Sequence, residues 1–279
     1  MNVHDIEKVV EAVAKSGSHL VCGSCGMETL ASGDLTICSN CENIVTYDAS
    51  MIGKSRTDHF VDIEKIMRLV VAKDFKSAMS AWEAKEGASS EPQMIYSEAL
   101  FYIAYSNHET SLINYELPGF MEENIAHRNE SLRLYSIARL KMNRGIYIIE
   151  RDAAAGIKSL QLNYTAFLLH VKLGDMRVAK EYLDEIKSYG EPYVYQYALV
   201  VFSAATNNFK DVVYYAMGLC TNEKFSIGAV YYIAWGLFKE GKKQQAREVV
   251  KILQRYMKSD SLTELAALVG GWPSSSSSL

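Results

Sequence analysis

Val3, Ile6, Val9, Val10 and Val13 recur at the three-and-four spacing of one helix face. The chain is therefore predicted to open on a short amphipathic helix ending near Ser16-Gly17-Ser18. The period then changes. Thr29-Leu30-Ala31 and Leu35-Thr36-Ile37 flank Ser32-Gly33-Asp34, which reads as a hairpin turn, and Ile44-Val45-Thr46-Tyr47 reads as a third short strand. Residues 49–57, with Gly53 and Lys54-Ser55-Arg56, read as a linker.

From residue 59 to 257 the pattern is helical and repeats. An apolar helix is followed by a tight polar turn and a second helix with a small or apolar residue four positions later. The turns are placed at Ala72-Lys73-Asp74, Ser106-Asn107-His108, Asn143-Arg144-Gly145, Leu173-Gly174-Asp175, Asn207-Asn208-Phe209 and Glu240-Gly241-Lys242. Their centres lie about 31–36 residues apart, near the period of helix-turn-helix repeats. Gly or Asn ends the first helix cheaply by taking a left-handed conformation, and Ala179 and Ala246 let paired helices approach. Ser261–Val269 reads as a final capping helix, stopped by Gly270-Gly271-Trp272-Pro273. The pattern divides the chain into an N-terminal helix (1–17), a small β region (18–50), a linker (51–58), helical repeats (59–270) and a Ser-rich tail (271–279).

Four of the five cysteines change the picture of the β region. Cys22-Gly-Ser-Cys25 and Cys38-Ser-Asn-Cys41 are two C-x-x-C pairs, a spacing that reads as one four-thiolate metal site. About 30 residues bury too little surface to fold unaided, so the metal supplies part of the stability. Four thiolates satisfy a tetrahedral ion and leave no open position, which points to one structural zinc ion rather than catalysis. A rubredoxin-like iron site is the rival. A disulfide reading of Cys22 and Cys25 leaves Cys38 and Cys41 unexplained. Cys220 reads as a buried apolar residue.

Val230, Ile233, Ala234, Leu237, Gly241 and Ala246 resemble the tetratricopeptide repeat (TPR) pattern, as do Ala166, Phe167, Leu173, Gly174, Ala179 and Leu183. The knuckle stretch separately resembles a zinc ribbon. The first resemblance implies an all-α, right-handed superhelix of about six helical hairpins with a concave face, carrying the small β ribbon at its N-terminus. It places Phe101, Tyr105, Tyr164, Tyr197, Tyr231, Tyr232, Trp235 and Phe238 on that face, an aromatic groove for a partner helix or peptide. The Lys/Asn carboxylate clamp of chaperone-tail adaptors is missing at the matching positions. Residues 111–127, with Pro118-Gly119, depart from the pattern. The stretch from Tyr164 to Ala204 is also loosely similar to the epsilon subunit of the vesicle coatomer.

Charge narrows the partners. The net charge of −4 predicts no general attraction to nucleic acid or anionic membrane. The β region holds Glu28, Asp34, Glu42 and Asp48 and no Lys or Arg, against nucleic-acid binding there. The ribbon is expected to dock a partner or brace the first repeat. Glu83, Glu86, Glu91, Glu98 and Glu109 belong to an acidic stretch read as solvated helix faces. Lys242, Lys243, Arg247, Lys251 and Arg255 form a basic C-terminal surface, the basis of an alternative reading as a ribonucleoprotein or transcription-associated factor. No apolar run suits membrane insertion, and no secretory signal opens the chain. A cytoplasmic or other reducing compartment fits the thiols, with the nucleus left open. No phosphate loop, G-x-S-x-G or paired metal-binding His occurs. The expectation is a non-catalytic adaptor, or a subunit of a multi-protein complex, with a coat-type subunit as a further alternative.

Overall fold

A computed structural model describes residues 3–22, 24–25, 28–32, 35–46, 65–66, 68–70, 72–84, 91–113, 121–221, 225–256 and 260–270. The predicted linker, the Ser-rich tail, Gly33-Asp34 and Pro118-Gly119 lie outside the described residues. The chain is predominantly helical with a small β part.

It divides into two compact units, each formed from separated stretches: Met1–Cys22 with Glu28–Ile52 and Met176–Leu279, and Gly23–Met27 with Gly53–Asp175. This differs from the division read in the sequence, which keeps the β region apart from the repeats. Here the β region, apart from Gly23–Met27, shares a unit with the C-terminal helices.

In the first unit, α1 (Val3–Ser16) buries Ile6, Val10 and Val13. β1 (Ser18–Val21) pairs antiparallel with β2 (Glu28–Ser32), and β3 (Leu35–Ile37) pairs antiparallel with β4 (Ile44–Thr46). The hairpin expected between β2 and β3 is not the pairing formed. β2 instead takes β5 (Phe225–Ser226) as its second antiparallel neighbour, in register Ala31↔Ser226 and Ser32↔Phe225. The helices α6 (Met176–Ser188), α7 (Pro192–Ala205), α8 (Phe209–Leu219), α9 (Ile227–Lys239), α10 (Lys243–Leu253) and α11 (Asp260–Gly270) each pack on the next. α1 lies against α10 and β2 against α9.

The second unit holds α2 (Phe75–Glu83), α3 (Pro92–Ser111), α4 (Met121–Ala154) and α5 (Leu160–Leu173). Phe75 and Trp82 form one core with Phe101, Tyr102 and Tyr105 of α3 and Leu134 and Ala138 of α4. The Phe75 ring stacks on Tyr105 at 5.0 Å and on His108 at 4.9 Å.

Four of the six expected turns form, by one device. Lys73, Gly174, Asn207 and Gly241 have φ of 59°, 82°, 58° and 80°. The next N–H in each case reaches back five residues, Asp74 to Leu69, Asp175 to His170, Asn208 to Ser203 and Lys242 to Leu237, at 2.8–2.9 Å. This left-handed closure satisfies carbonyls that the helix end would orphan.

The other two expected turns are absent. Ser106-Asn107-His108 lies inside α3, and Asn143-Arg144-Gly145 lies inside the unbroken 34-residue α4. Their polar letters serve helix–helix contact. Ser106 donates to the Ser131 carbonyl at 2.8 Å and meets the Ser131 hydroxyl at 2.9 Å, while the Thr110 and Ser131 hydroxyls are 2.8 Å apart. A Cβ on Gly145 would stand 3.1 Å from Leu169 Cδ1 and 3.6 Å from Ile95 Cγ2, so this glycine marks a close approach of α3, α4 and α5. The actual break after α4 comes at Gly156, φ 82°, with Ser159 capping α5 by accepting from the Leu162 N–H at 3.2 Å. The expectation of about six hairpins is therefore corrected.

Glu98 and Glu109 are also not solvated. Lys141 Nζ lies 2.9 Å from Glu98 Oε1 with both side chains about nine-tenths buried, and His127 Nδ1 lies 2.7 Å from Glu109 Oε2. Burying carboxylates between α3 and α4 is tolerable only because each has a polar partner.

Candidate metal centre

Each β-hairpin delivers one cysteine pair. Cys22 follows the last residue of β1 and Cys25 sits in the turn that leads to β2. Cys38 follows β3, and Cys41 precedes β4 in the second turn. All four thiols are buried, at 0–2% exposure. Their sulfurs lie within 4.8 Å of one another, with Cys22 Sγ and Cys41 Sγ 3.6 Å apart. A tetrahedron with metal–sulfur distances of about 2.3 Å needs sulfur–sulfur separations of about 3.8 Å. The cluster is thus close to the size that one ion requires. None of the five cysteines forms a disulfide.

The second turn is closed tightly around its sulfurs. The Cys38 N–H donates to the Asn43 carbonyl at 2.9 Å and the Glu42 N–H to the Cys38 carbonyl at 3.0 Å. Glu42 accordingly takes φ 61°, unusual for a residue with a Cβ. The Asn40 N–H points at Cys38 Sγ and Asn43 Nδ2 at Cys41 Sγ, both at 3.4 Å. Such donors stabilise thiolate charge around a metal. The Ser39 N–H donates to buried Thr29 Oγ1 at 3.2 Å, tying the second turn to β2. Asn40, Asn43 and Thr29 have no signature in the sequence beyond adjacency to the knuckles.

Two side-chain bonds tie the N-terminal residues to the C-terminal helices of the same unit. The Tyr232 hydroxyl of α9 donates to Glu42 Oε1, and Arg255 Nη1 meets Glu7 Oε1 at 2.6 Å. These bonds fasten the N-terminal residues to the last hairpin, within one unit.

The aromatic residues divide. Phe101, Tyr105, Tyr164 and Tyr197 are 0–4% exposed, which corrects their assignment to an open groove: they fill the core between helices. Tyr231, Tyr232, Trp235 and Phe238 are half-buried. Tyr232 stands edge-on to Tyr197, Tyr231 and Trp235, at 6.0, 6.0 and 6.4 Å. Lys239 Nζ is 5.7 Å from the Trp235 ring centre. Burial raises the pKa of the Tyr231 phenol, with further help from the Glu264 and Glu42 carboxylates. Much of this face is thus occupied by the protein's own ribbon and helices.

The basic set divides too. Arg247 donates to the carbonyls of Val269 (3.0 Å) and Gly270 (3.0 Å), capping α11, while Lys242 pairs with Glu240 at 2.7 Å and Arg255 with Glu7. Lys243 and Lys251 are exposed. Cys220 is buried, and burial pushes its thiol up to about 12, as befits an unreactive core residue. His170 is buried in α5, 3.8 Å from Asp175 Oδ2. No described helix is long and apolar enough to cross a membrane.

No protein-family model, curated protein or solved structure matches this chain.

Proposed function

We propose that the chain is a non-catalytic adaptor or assembly subunit whose four cysteines hold one structural zinc ion. The observation that carries the proposal is the closed thiol cluster. Four buried sulfurs at tetrahedral spacing, supported by N–H donors from Asn40 and Asn43, use every coordination position and leave none for substrate water. Zinc suits four thiolates better than the oxygen-seeking cations do, and iron is the competitor. Thiolate ligands need reduced cysteines, which favours a reducing compartment such as the cytoplasm.

The remaining mass is a TPR-like scaffold in its C-terminal part. Gly174, Asn207 and Gly241 end helices by the same left-handed closure at intervals of 33 and 34 residues. Partner binding on such a scaffold uses exposed helix faces, not the buried Phe101, Tyr105, Tyr164 and Tyr197. Elemental analysis of natively purified protein should find one zinc per chain. A red protein carrying one iron would overturn zinc, and a chain that travels alone at its native concentration would overturn the assembly role.

A further inference from the structure

The Cys38–Cys41 turn is strained just past its second cysteine. In the sequence Cys25 is followed by Gly26, a residue that a left-handed turn accepts freely, whereas Cys41 is followed by Glu42. Glu42 nonetheless takes φ 61°, with its N–H donating to the Cys38 carbonyl at 3.0 Å. A residue with a Cβ pays conformational energy there and keeps such a φ only where its surroundings hold it. The closed turn around the Cys38 and Cys41 sulfurs holds Glu42 from one side. From the other, the Tyr232 hydroxyl of α9 donates to Glu42 Oε1.

Two links lead from this turn to α9. The first is Glu42 itself. Its partner Tyr232 stands edge-on to Tyr197, Tyr231 and Trp235, and Trp235 in turn stands edge-on to Phe209 at 5.1 Å. The second runs through the sheet. The Ser39 N–H holds Thr29 Oγ1 of β2, and β2 pairs with β5, whose residues Phe225–Ser226 run straight into α9 at Ile227. An ion bound by the four sulfurs fixes Cys38 and Cys41, and with them the backbone at Glu42. With the sulfurs unbound the turn loses that anchor, and the strain at Glu42 works against the Tyr232 bond.

We propose that the Cys38–Cys41 turn is a metal-dependent latch on α9: an ion at the four cysteines sets Glu42 to hold Tyr232, and release of the ion frees Tyr232 and uncovers the Tyr231–Tyr232–Trp235 face. The inference rests on the metal reading above and adds a regulated surface to it. Coupling of this kind is reciprocal, so the hold on Tyr232 also tightens the ion. Glu42 is a positioning residue that acts through the turn.

Zinc titration of the reduced, chelator-treated full chain, kept below the melting temperature of the metal-free form, tests it. Hydroxyl-radical footprinting should label Tyr232 and Trp235 several-fold more without zinc, with Tyr193, buried in α7 of the same unit, unchanged. Zinc affinity, read by competition with a chromophoric chelator, should fall about tenfold in Tyr232→Phe and in Glu42→Ala, and no further in the double variant. Arg247→Ala, which uncaps α11 in the same unit, should leave it unchanged. Tyr232→Phe keeps the ring and removes only the hydroxyl, so it decides alone if Glu42→Ala fails to fold. Zinc bound with no change in Tyr232 and Trp235 labelling, or with full affinity in Tyr232→Phe, would overturn the latch and leave the metal reading standing. A rise at Tyr193 as large as at Tyr232, or an equal loss of affinity in Arg247→Ala, would mean that the ion holds the unit as a whole, and would also overturn the latch. Failure to take up zinc would overturn both readings.

Discussion

The two units solve the same problem with different means. In the C-terminal unit the helices are 11–14 residues long, three of them followed by left-handed Gly190, Asn207 and Gly241, and the N-terminal residues add two cysteine-tipped hairpins. In the other unit, α3 and α4 run for 20 and 34 residues and are locked side by side by buried polar pairs. One unit takes its geometry from frequent turns and a candidate metal staple. The other takes it from long helices whose register is set by specific side-chain bonds. The same residue types, Gly, Asn and Ser, therefore mark a helix boundary at Gly174, Asn207 and Ser159 and a helix contact at Gly145 and Ser106.

Removing the metal should separate the two most strongly. Cys38→Ser, or chelation, should destabilise the ribbon-bearing unit by roughly 4 kcal/mol or more, because binding energy is folding energy at such a site. Calorimetry should show an early transition for that unit while the α3–α4 pair persists. A single unaltered transition would mean the cluster is not a staple. Next in size is the reverse experiment. Lys141→Met strands the Glu98 carboxylate and should cost about 3–5 kcal/mol, whereas Glu98→Leu/Lys141→Met should recover most of the loss. Urea unfolding of the three variants measures this directly, and equal losses in single and double variants would argue that the pair does more than neutralise itself.

The two kinds of glycine give a finer test. Gly145→Val pushes methyl groups into Leu169 and Ile95 and should cost about 1–3 kcal/mol through overpacking. A Cβ on Gly174 would meet nothing within 4 Å, so Gly174→Ala should cost only the left-handed backbone penalty of about 1 kcal/mol. Similar losses at both would erase the distinction between contact glycine and turn glycine. Tyr232→Phe removes the bond to Glu42 and should cost about 1–2 kcal/mol, confined to the ribbon-bearing unit.

The smallest effect is alkaline. Burial raises the Cys220 thiol from 9.0 to about 12, so the folded state holds its proton longer than the unfolded chain does. That contribution is intact below pH 9 and is lost as pH rises toward 12, about 1 kcal/mol being gone at pH 10. Cys220→Ala should flatten this slope between pH 9 and 11 in denaturant titrations.

Legibility followed how local each signal is. Cys22, Cys25, Cys38 and Cys41 were readable as a cluster because thiolate coordination demands a fixed spacing in the chain. Gly174, Asn207 and Gly241 were readable as turns because a left-handed residue has few substitutes. Asn143-Arg144-Gly145 carries the same letters, but its meaning depends on Leu169 and Ile95, which no local window contains. The real break at Gly156 was signalled by Ser159 three residues on, a glycine stop followed by a serine cap. The aromatic residues misled for a related reason. Position on a first helix says which side Tyr164 and Tyr197 face, while their burial depends on the neighbours packed against them. β5 was invisible because Phe225–Ser226 becomes a strand only by meeting β2.

That last pairing has a consequence for how the protein is made. The bond from Tyr232 to Glu42 joins residues 190 positions apart, and closing a flexible loop of that length costs about 5 kcal/mol of chain entropy. At about 5–20 residues per second, the ribbon leaves the ribosome some 10–40 seconds before its partner helix. During that interval β2 offers an unpaired edge and Glu42 has no Tyr232 to hold it. The two knuckles, however, are only residues apart and can close on an ion at once. An ion held there would act as a timing device as well as a staple: it would give the first part of the chain a shape to keep until the last part arrives.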